Sequence, residues 1–372
     1  MKNVIVVNSA KKIDQSLFDL FAALSRENYY FFWLAGERGL ISQPDGEKIK
    51  KSFFGPEPRN FFTTSTFVLL LPALWLWYLF FLYFRKRQEG IAKIICVGNR
   101  EKFIFTPLAK ILGIGVIWLE MPGQSRRRFK KIWQFFSGPA GLITFTPTEA
   151  EDLAASGFKK DKIYNISLGV NLQSVERQDN LFSSLAKADK PYSFYKNFSV
   201  GAVAESGDRH RLEILLQAVK ACLNIIPNFR LVVIGQGPES GNLNWLVKKL
   251  GLERRVWLVG EQKNLLQWFD DLDLYIMMAE NPGLADLERA LAAASRGLPL
   301  LGFSAKNLSD IIIEGQNGFT SETSSAEALA QKIIAIEADD RARKILGENG
   351  RKMACGNFDR QKQLQRLKEI IG

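Results

Sequence analysis

Val232-Val233-Ile234-Gly235-Gln236-Gly237-Pro238 is a short apolar run that stops at two glycines, and an amphipathic stretch then leads to Val256-Trp257-Leu258-Val259-Gly260. Runs apolar at every position predict strands covered on both faces, as in a parallel sheet, and the segment between them predicts the crossover helix of a βαβ unit. Glycine at a strand end lets the loop backbone approach a phosphate. Glycine also serves tight turns that bind nothing, so the motif alone leaves both readings open.

The pattern continues downstream. Asp273-Leu274-Tyr275-Ile276-Met277-Met278 predicts a further strand, Glu280 and Glu288 follow with seven residues between them, and turn and strand signals recur at Gly297-Leu298-Pro299-Leu300-Leu301-Gly302 and Glu314-Gly315-Gln316-Asn317-Gly318-Phe319. This order resembles the C-terminal domain of GT-B glycosyltransferases of the family-4 type, the glycosyl transferases group 1, closely over the second half of the chain and loosely over the first. The resemblance implies an α/β protein of two Rossmann-like domains facing an interdomain cleft. It also implies a nucleotide-sugar as donor substrate, with no cofactor and no metal.

Length agrees, because a chain of 372 residues is too long for one core and predicts two. The first domain is expected over 1–172. Its strands are predicted at Val4–Asn8, Tyr29–Ala35, Ile94–Val97, Gly115–Leu119 and from Leu142, with helices at Ile13–Ser25 and Phe105–Leu112 and a capping-box start at Thr148 before Glu151. Residues 173–198 are polar and irregular, as a linker is, and 199–372 form the expected second domain. Gly169-Val170-Asn171 stands where the family carries Gly-Val-Asp ahead of that linker.

Phe67 to Phe84 carries no charge and precedes Arg85-Lys86-Arg87, inside a helix expected over about 61–87. Three readings are open: a membrane span, a fully buried crossover helix, or a helix that packs on the sheet and dips one face into a membrane surface. Strand signals at Val4–Val7 and Ile94–Val97 flank it, and a single crossing would separate them, so the interfacial reading is favoured. Lys48-Ile49-Lys50-Lys51 and Arg126-Arg127-Arg128-Phe129-Lys130-Lys131-Ile132-Trp133 also mix cations with apolar residues, which suits lipid headgroups.

Lys and Arg number 50 against 39 Asp and Glu, a net charge of +11, which suits nucleic acid, anionic lipid or phosphorylated substrates. Nucleic acid is disfavoured because no recognised binding motif accompanies the charge. Cys96, Cys222 and Cys355 are far apart and His210 is the one histidine, so neither a disulfide framework nor a zinc site is expected. The start of the chain reads as a strand rather than a signal peptide, and the expected location is cytoplasmic, on the inner face of the cell membrane. Oligomeric state is not legible.

Breaking a glycosyl–diphosphate bond requires fixed positive charge or backbone N–H groups at the leaving group. The resemblance implies these roles for Arg209, His210, Arg211, Gly283 and Leu284, with Gly235, Gln236, Gly237 and Glu261 on the nucleotide. It implies Glu280 and Glu288 as the catalytic carboxylates, and Asn99 and Gly123 as acceptor-side residues. Two departures stand out. Ala202 follows Gly201 where the family places Arg, and the distance from Glu288 to Gly297-Leu298-Pro299 is long by one helical turn of about 3.6 residues. The expected function is transfer of a sugar, with retention, to a lipid-linked or other cell-envelope glycan; the alternative is a catalytically degenerate protein that binds or assembles at the membrane.

Overall fold

Continuous runs such as Val4–Val7, Ile94–Cys96 and Leu231–Ile234 are buried along their whole length, as strands covered on both faces must be. The computed structural model describes residues 2–8, 15–26, 29–35, 49–53, 61–122, 130–138, 140–167, 169, 197–204, 209–235, 240–262, 264–279, 282–303, 308–321 and 325–372. These fall into two units: 1–167 together with 363–372, and 168–362.

In the first unit β1 (Lys2–Asn8), β2 (Tyr29–Ala35), β3 (Ile49–Phe53), β4 (Ile91–Cys96), β5 (Gly115–Glu120), β6 (Ala140–Thr144) and β7 (Ile163–Asn165) form one sheet in the order β3-β2-β1-β4-β5-β6-β7. Every pairing is parallel, with Ile5 opposite Phe32 on one side and Ile94 on the other. Its helices are α1 (Gln15–Ser25), α2 (Phe61–Glu89), α3 (Asn99–Ile111), α4 (Lys130–Ser137) and α5 (Pro147–Ala155).

Five sequence readings change here. Ile49–Lys51, read as a headgroup cluster, is part of the edge strand β3. Helix α3 starts at Asn99, six residues earlier than its apolar periodicity suggests, and α5 is capped by Thr146, whose hydroxyl accepts from Glu149 N–H at 3.3 Å, rather than by Thr148. The membrane-span reading of α2 is overturned. Its flanking strands belong to one sheet in which β4 pairs with β1, so both lie on the same side of any bilayer, and among the described residues no helix is long and apolar enough to cross a membrane. The fully buried reading fails as well, because Leu76, Trp77, Phe80 and Phe84 are exposed while Tyr78 and Leu82 enter the core.

The second unit has β8 (Phe198–Val203), β9 (Phe229–Ile234), β10 (Val256–Gly260), β11 (Leu274–Met277), β12 (Leu300–Phe303) and β13 (Gly318–Ser321) in the all-parallel order β10-β9-β8-β11-β12-β13. Covering helices are α6 (Arg209–Cys222), α7 (Ser240–Lys249), α8 (Leu265–Phe269), α9 (Leu284–Ser295), α10 (Ala326–Ala338) and α11 (Asp340–Asn357), and α12 (Arg360–Ile371) closes the chain. Sequence reading assigned all of 199–372 to the second domain, whereas the last ten residues belong to the first unit. There Tyr29 Oη donates to the Lys368 carbonyl at 3.3 Å and Lys93 Nζ to that of Ile370 at 2.6 Å. The expected linker falls outside the described residues except for Asn197 and Phe198, and Phe198 begins β8. Gly169 is described, and its Cα faces the backbone of Arg360 so closely that any side chain would collide.

Candidate functional site

The strand order of the second sheet reverses between β8 and β11, and in doubly wound sheets ligands collect beyond the carboxyl ends of the strands at such a point. Neighbouring loops are tied together there by backbone. Ala204 N–H donates to the Ile234 carbonyl and Gly235 N–H to the Gly260 carbonyl, both at 2.8 Å. Gly235 has φ +129°, and a Cβ on it would run into the Ala204 carbonyl. The glycine is therefore demanded by a close approach of two strand ends. Gln236 and Gly237 lie outside the described residues, and Glu261 is exposed just past β10.

The Arg209-His210-Arg211 triplet opens α6 and is split by helical phase. Arg211 stands four residues before Leu215 and eight before Val219, on the stripe that faces the core, and is only 5% exposed. Its Nη1 donates to the Met278 carbonyl at 2.9 Å, and its guanidinium lies 5.0 Å from the centre of the Phe303 ring. One cation thus joins the helix after β8 to the end of β11, across the reversal point, and rests on β12. Arg209 is exposed and pairs with Glu213 at 3.2 Å, and His210 is exposed beside it. The phase of Leu212, Leu215, Leu216 and Val219 is the signal that singles out Arg211 from sequence. Ala202 is 1% exposed within β8, so the position where the family carries Arg is core here.

Met278 leads toward Glu280, which lies outside the described residues, and then to α9. Gly283 precedes the helix in extended conformation, and its N–H donates to Asp286 Oδ2 at 3.0 Å, while Asp286 Oδ1 accepts from Arg289 at 3.0 Å. Leu284, the first helical residue, is buried. Glu288 is half-buried one turn further on. The extra residues before Gly297 are taken up inside α9, which runs unbroken to Ser295. Gly297 then stops it with φ +81°, its N–H donating to Ala294 and that of Leu298 to Ala293. The stretch between Glu288 and Gly297 therefore holds no looped-out insertion. A surface depression lined by Leu223, Pro227, Gly251, Glu253, Arg254 and Arg255 lies at the opposite, amino-terminal side of β9 and β10.

At the carboxyl edge of the first sheet Asn99 is exposed at the start of α3, and Gly123 lies outside the described residues. Sequence reading missed the charges beside Asn99. Lys102 is fully buried, donates to the Leu119 carbonyl at 2.7 Å, stands 3.3 Å from Glu120 Oε1 and lies over the Trp118 ring at 5.9 Å. Glu101 is buried as well, and its carboxylate occupies the space a Gly98 side chain would take. Burial pushes the Cys96 thiol far above its usual range, the Glu101 charge adds to that rise, and Lys102 opposes it. Charged residues two or three positions into a helix read as solvated from sequence, and nothing local marked these for burial. Among the described residues no group of three or more His, Cys, Asp and Glu side chains is placed to hold a metal ion.

Two doubly wound parallel sheets, each in its own unit, make up the GT-B class of fold. Two solved structures agree over the whole chain: a glycosyltransferase from Rickettsia africae (TM-score 0.80, 15% identity, 100% of this chain and 97% of that one) and Anabaena HepE in complex with UDP (TM-score 0.76, 17% identity, 100% and 99%). The family model for glycosyl transferases group 1 matches residues 179–353. The lipopolysaccharide core biosynthesis glycosyltransferase LpsE of Rhizobium meliloti is 26% identical over 229 residues, a match spanning 61% of this chain and 62% of that relative. The family match lies within the second unit, and there the chain is similar to GT-B glycosyltransferases of family-4 type, the relatives including glycosyltransferases of lipopolysaccharide core and capsular polysaccharide biosynthesis.

Proposed function

We propose that this chain moves a sugar, with retention of configuration, from a nucleotide-sugar to a lipid-linked or other cell-envelope glycan acceptor at the cytoplasmic face of a membrane. The observation that carries the reading is Arg211, a buried cation at the reversal point of the second sheet, bonded to the Met278 carbonyl two residues before Glu280 in the chain. A diphosphate leaving group needs charge that is already in place when the glycosyl bond breaks. Arg211 supplies a fixed positive potential there, and the amino-terminus of α9 adds backbone N–H groups and the positive end of its dipole. Glu280 is assigned to the reacting sugar and Glu288 to the ribose, with Asn99 and Gly123 on the acceptor side; no cofactor or metal is assigned.

Two observations favour a second reading, a descendant that keeps the fold for binding or assembly. Asp286 already holds the Gly283 N–H, so a carboxylate sits at the helix end where a phosphate would go. Arg209 is engaged with Glu213 on the surface. Calorimetry with uridine and guanosine diphosphates separates the readings. Saturable binding that is lost in Arg211→Met and Glu280→Ala supports the transferase, whereas absence of binding at millimolar ligand supports the second reading.

A further inference from the structure

Helix α2 has two unlike faces, and only one is accounted for by the fold. Tyr78 and Leu82 enter the core of the first unit, with Tyr78 packed on Phe105 of α3 at 5.1 Å between ring centres. On the other side Leu76, Trp77, Phe80 and Phe84 are 60, 57, 60 and 53% exposed, and Tyr83 is exposed beside them. At 3.6 residues per turn these positions form one stripe along three turns. A contiguous stripe of large apolar side chains is a surface that water leaves uncovered at a cost, and such patches mark a partner or a membrane.

The residues at the end of the stripe indicate which. Arg87 donates to the Tyr83 hydroxyl at 3.4 Å, Lys86 donates to the Leu112 carbonyl at 2.5 Å, and both are exposed. Lys110 and Ile111 are exposed at the end of α3, next to that carbonyl. Glu89, the acid of the same turn, is paired with Arg85, whose guanidinium lies over the Phe32 ring at 5.0 Å, so Arg85 is not part of the outward cluster that the sequence suggested. An apolar stripe containing Trp and Tyr and bordered by exposed cations matches the layering of a bilayer surface: acyl chains, an aromatic belt, anionic headgroups.

We propose that this face of α2 docks in plane on an anionic lipid bilayer, with Leu76, Trp77, Phe80 and Phe84 at the headgroup–acyl boundary and Lys86, Arg87 and Lys110 against lipid phosphates. The proposal rests on the transferase reading only for its purpose, which is to bring a lipid-linked acceptor to the first unit. It concerns a different surface from the nucleotide site.

Co-sedimentation of the full chain with vesicles of phosphatidylcholine alone, or mixed with phosphatidylglycerol, tests it. Wild type is expected to bind the mixed vesicles, and less so at high salt. The triple variant Trp77→Ser, Phe80→Ser, Phe84→Ser is expected to lose at least tenfold in partitioning. Arg87→Glu with Lys110→Glu is expected to remove only the preference for anionic lipid. Wild type that stays in the supernatant, or a triple variant that binds as well as wild type, overturns the proposal. So does a wild-type dimer that the triple variant breaks without any vesicle binding, since a second copy then covers the stripe. Uridine diphosphate calorimetry on the same proteins keeps the two readings apart: the triple variant is expected to retain whatever nucleotide binding wild type has, and nucleotide binding without vesicle binding sinks the docking surface alone.

Discussion

Replacing Arg211 by Met removes the guanidinium while leaving an unbranched apolar stem in the same channel between α6 and β12. At least two interactions are lost. The bond to the Met278 carbonyl is a hydrogen bond from a charged donor, worth about 1.5–3 kcal/mol. The stacking over Phe303 takes place away from water and contributes about 2 kcal/mol. A neutral side chain also escapes the cost of burying charge, so the net loss is set at about 3 kcal/mol. For a unit of this size that corresponds to a fall in midpoint of roughly 6–12 °C. Arg211→Lys keeps the charge but not the planar fork, and should fall between. Arg209→Ala breaks only an exposed pair worth roughly 0.5 kcal/mol and should leave the midpoint nearly unchanged. Thermal unfolding followed by circular dichroism, with uridine diphosphate calorimetry at a temperature where every variant is folded, reads both consequences. If Arg211→Met melts with wild type, or if Arg209→Ala is the more damaging of the two for stability and nucleotide binding, the assignment of Arg211 as the fixed cation is refuted.

Gly235→Ala forces a side chain toward the Ala204 carbonyl at φ +129°, so a loss of roughly 2–3 kcal/mol in chemical denaturation is expected, together with weakened nucleotide binding. Lys102→Met strands the Glu120 carboxylate in the interior and should cost about 3–5 kcal/mol, while adding Glu120→Leu should recover much of it, as a double-mutant cycle in denaturant will show. Cys96 and Cys222 are buried, burial pushing the Cys222 thiol up to about 12, so native protein should take up a thiol-alkylating reagent at Cys355 alone and at all three cysteines after unfolding, read by intact mass. Burial raises Asp273 above the ordinary carboxylate range, with the Ser199 N–H and Arg343 opposing the rise and Asp340 adding to it. The folded state therefore holds that proton more tightly than the unfolded chain. The group's contribution to stability is greatest below the ordinary carboxylate range and is lost as pH rises through its folded value, and Asp273→Asn should remove that decline from a stability–pH curve.

Strands buried on both faces advertise themselves as unbroken apolar runs, which is why β1, β2, β4, β5, β9 and β11 were legible without a structure, and the edge strand β10 was legible because it is equally apolar although only half-buried. Edge strand β3 was not, because Ile49-Lys50-Lys51-Ser52-Phe53 carries the charges that edges tolerate and so resembles a surface cluster. The first turn of α3 was hidden for a related reason. Its Asn99-Arg100-Glu101-Lys102 start is polar, and the tertiary pairing of Lys102 with Glu120 and the Leu119 carbonyl helps make its burial tolerable. In the site, glycine 235 announced a backbone approach correctly. Arg211 was picked out with its two neighbours but not distinguished from them, although the phase of Leu215 and Val219 separates them once α6 is drawn as a helix. Glu280 and Gly123 fall outside the described residues, so their placement still rests on the sequence pattern alone.

The measurement that bears most directly on the central claim is release of nucleoside diphosphate when the full chain is incubated with a panel of nucleotide-sugars and extracted membrane lipids. The account predicts release that requires both a donor and a lipid fraction, yields a product with the donor's anomeric configuration, and disappears in Arg211→Met and Glu280→Ala. Saturable nucleotide binding without turnover on any donor and lipid combination, or release undiminished in both variants, would contradict it.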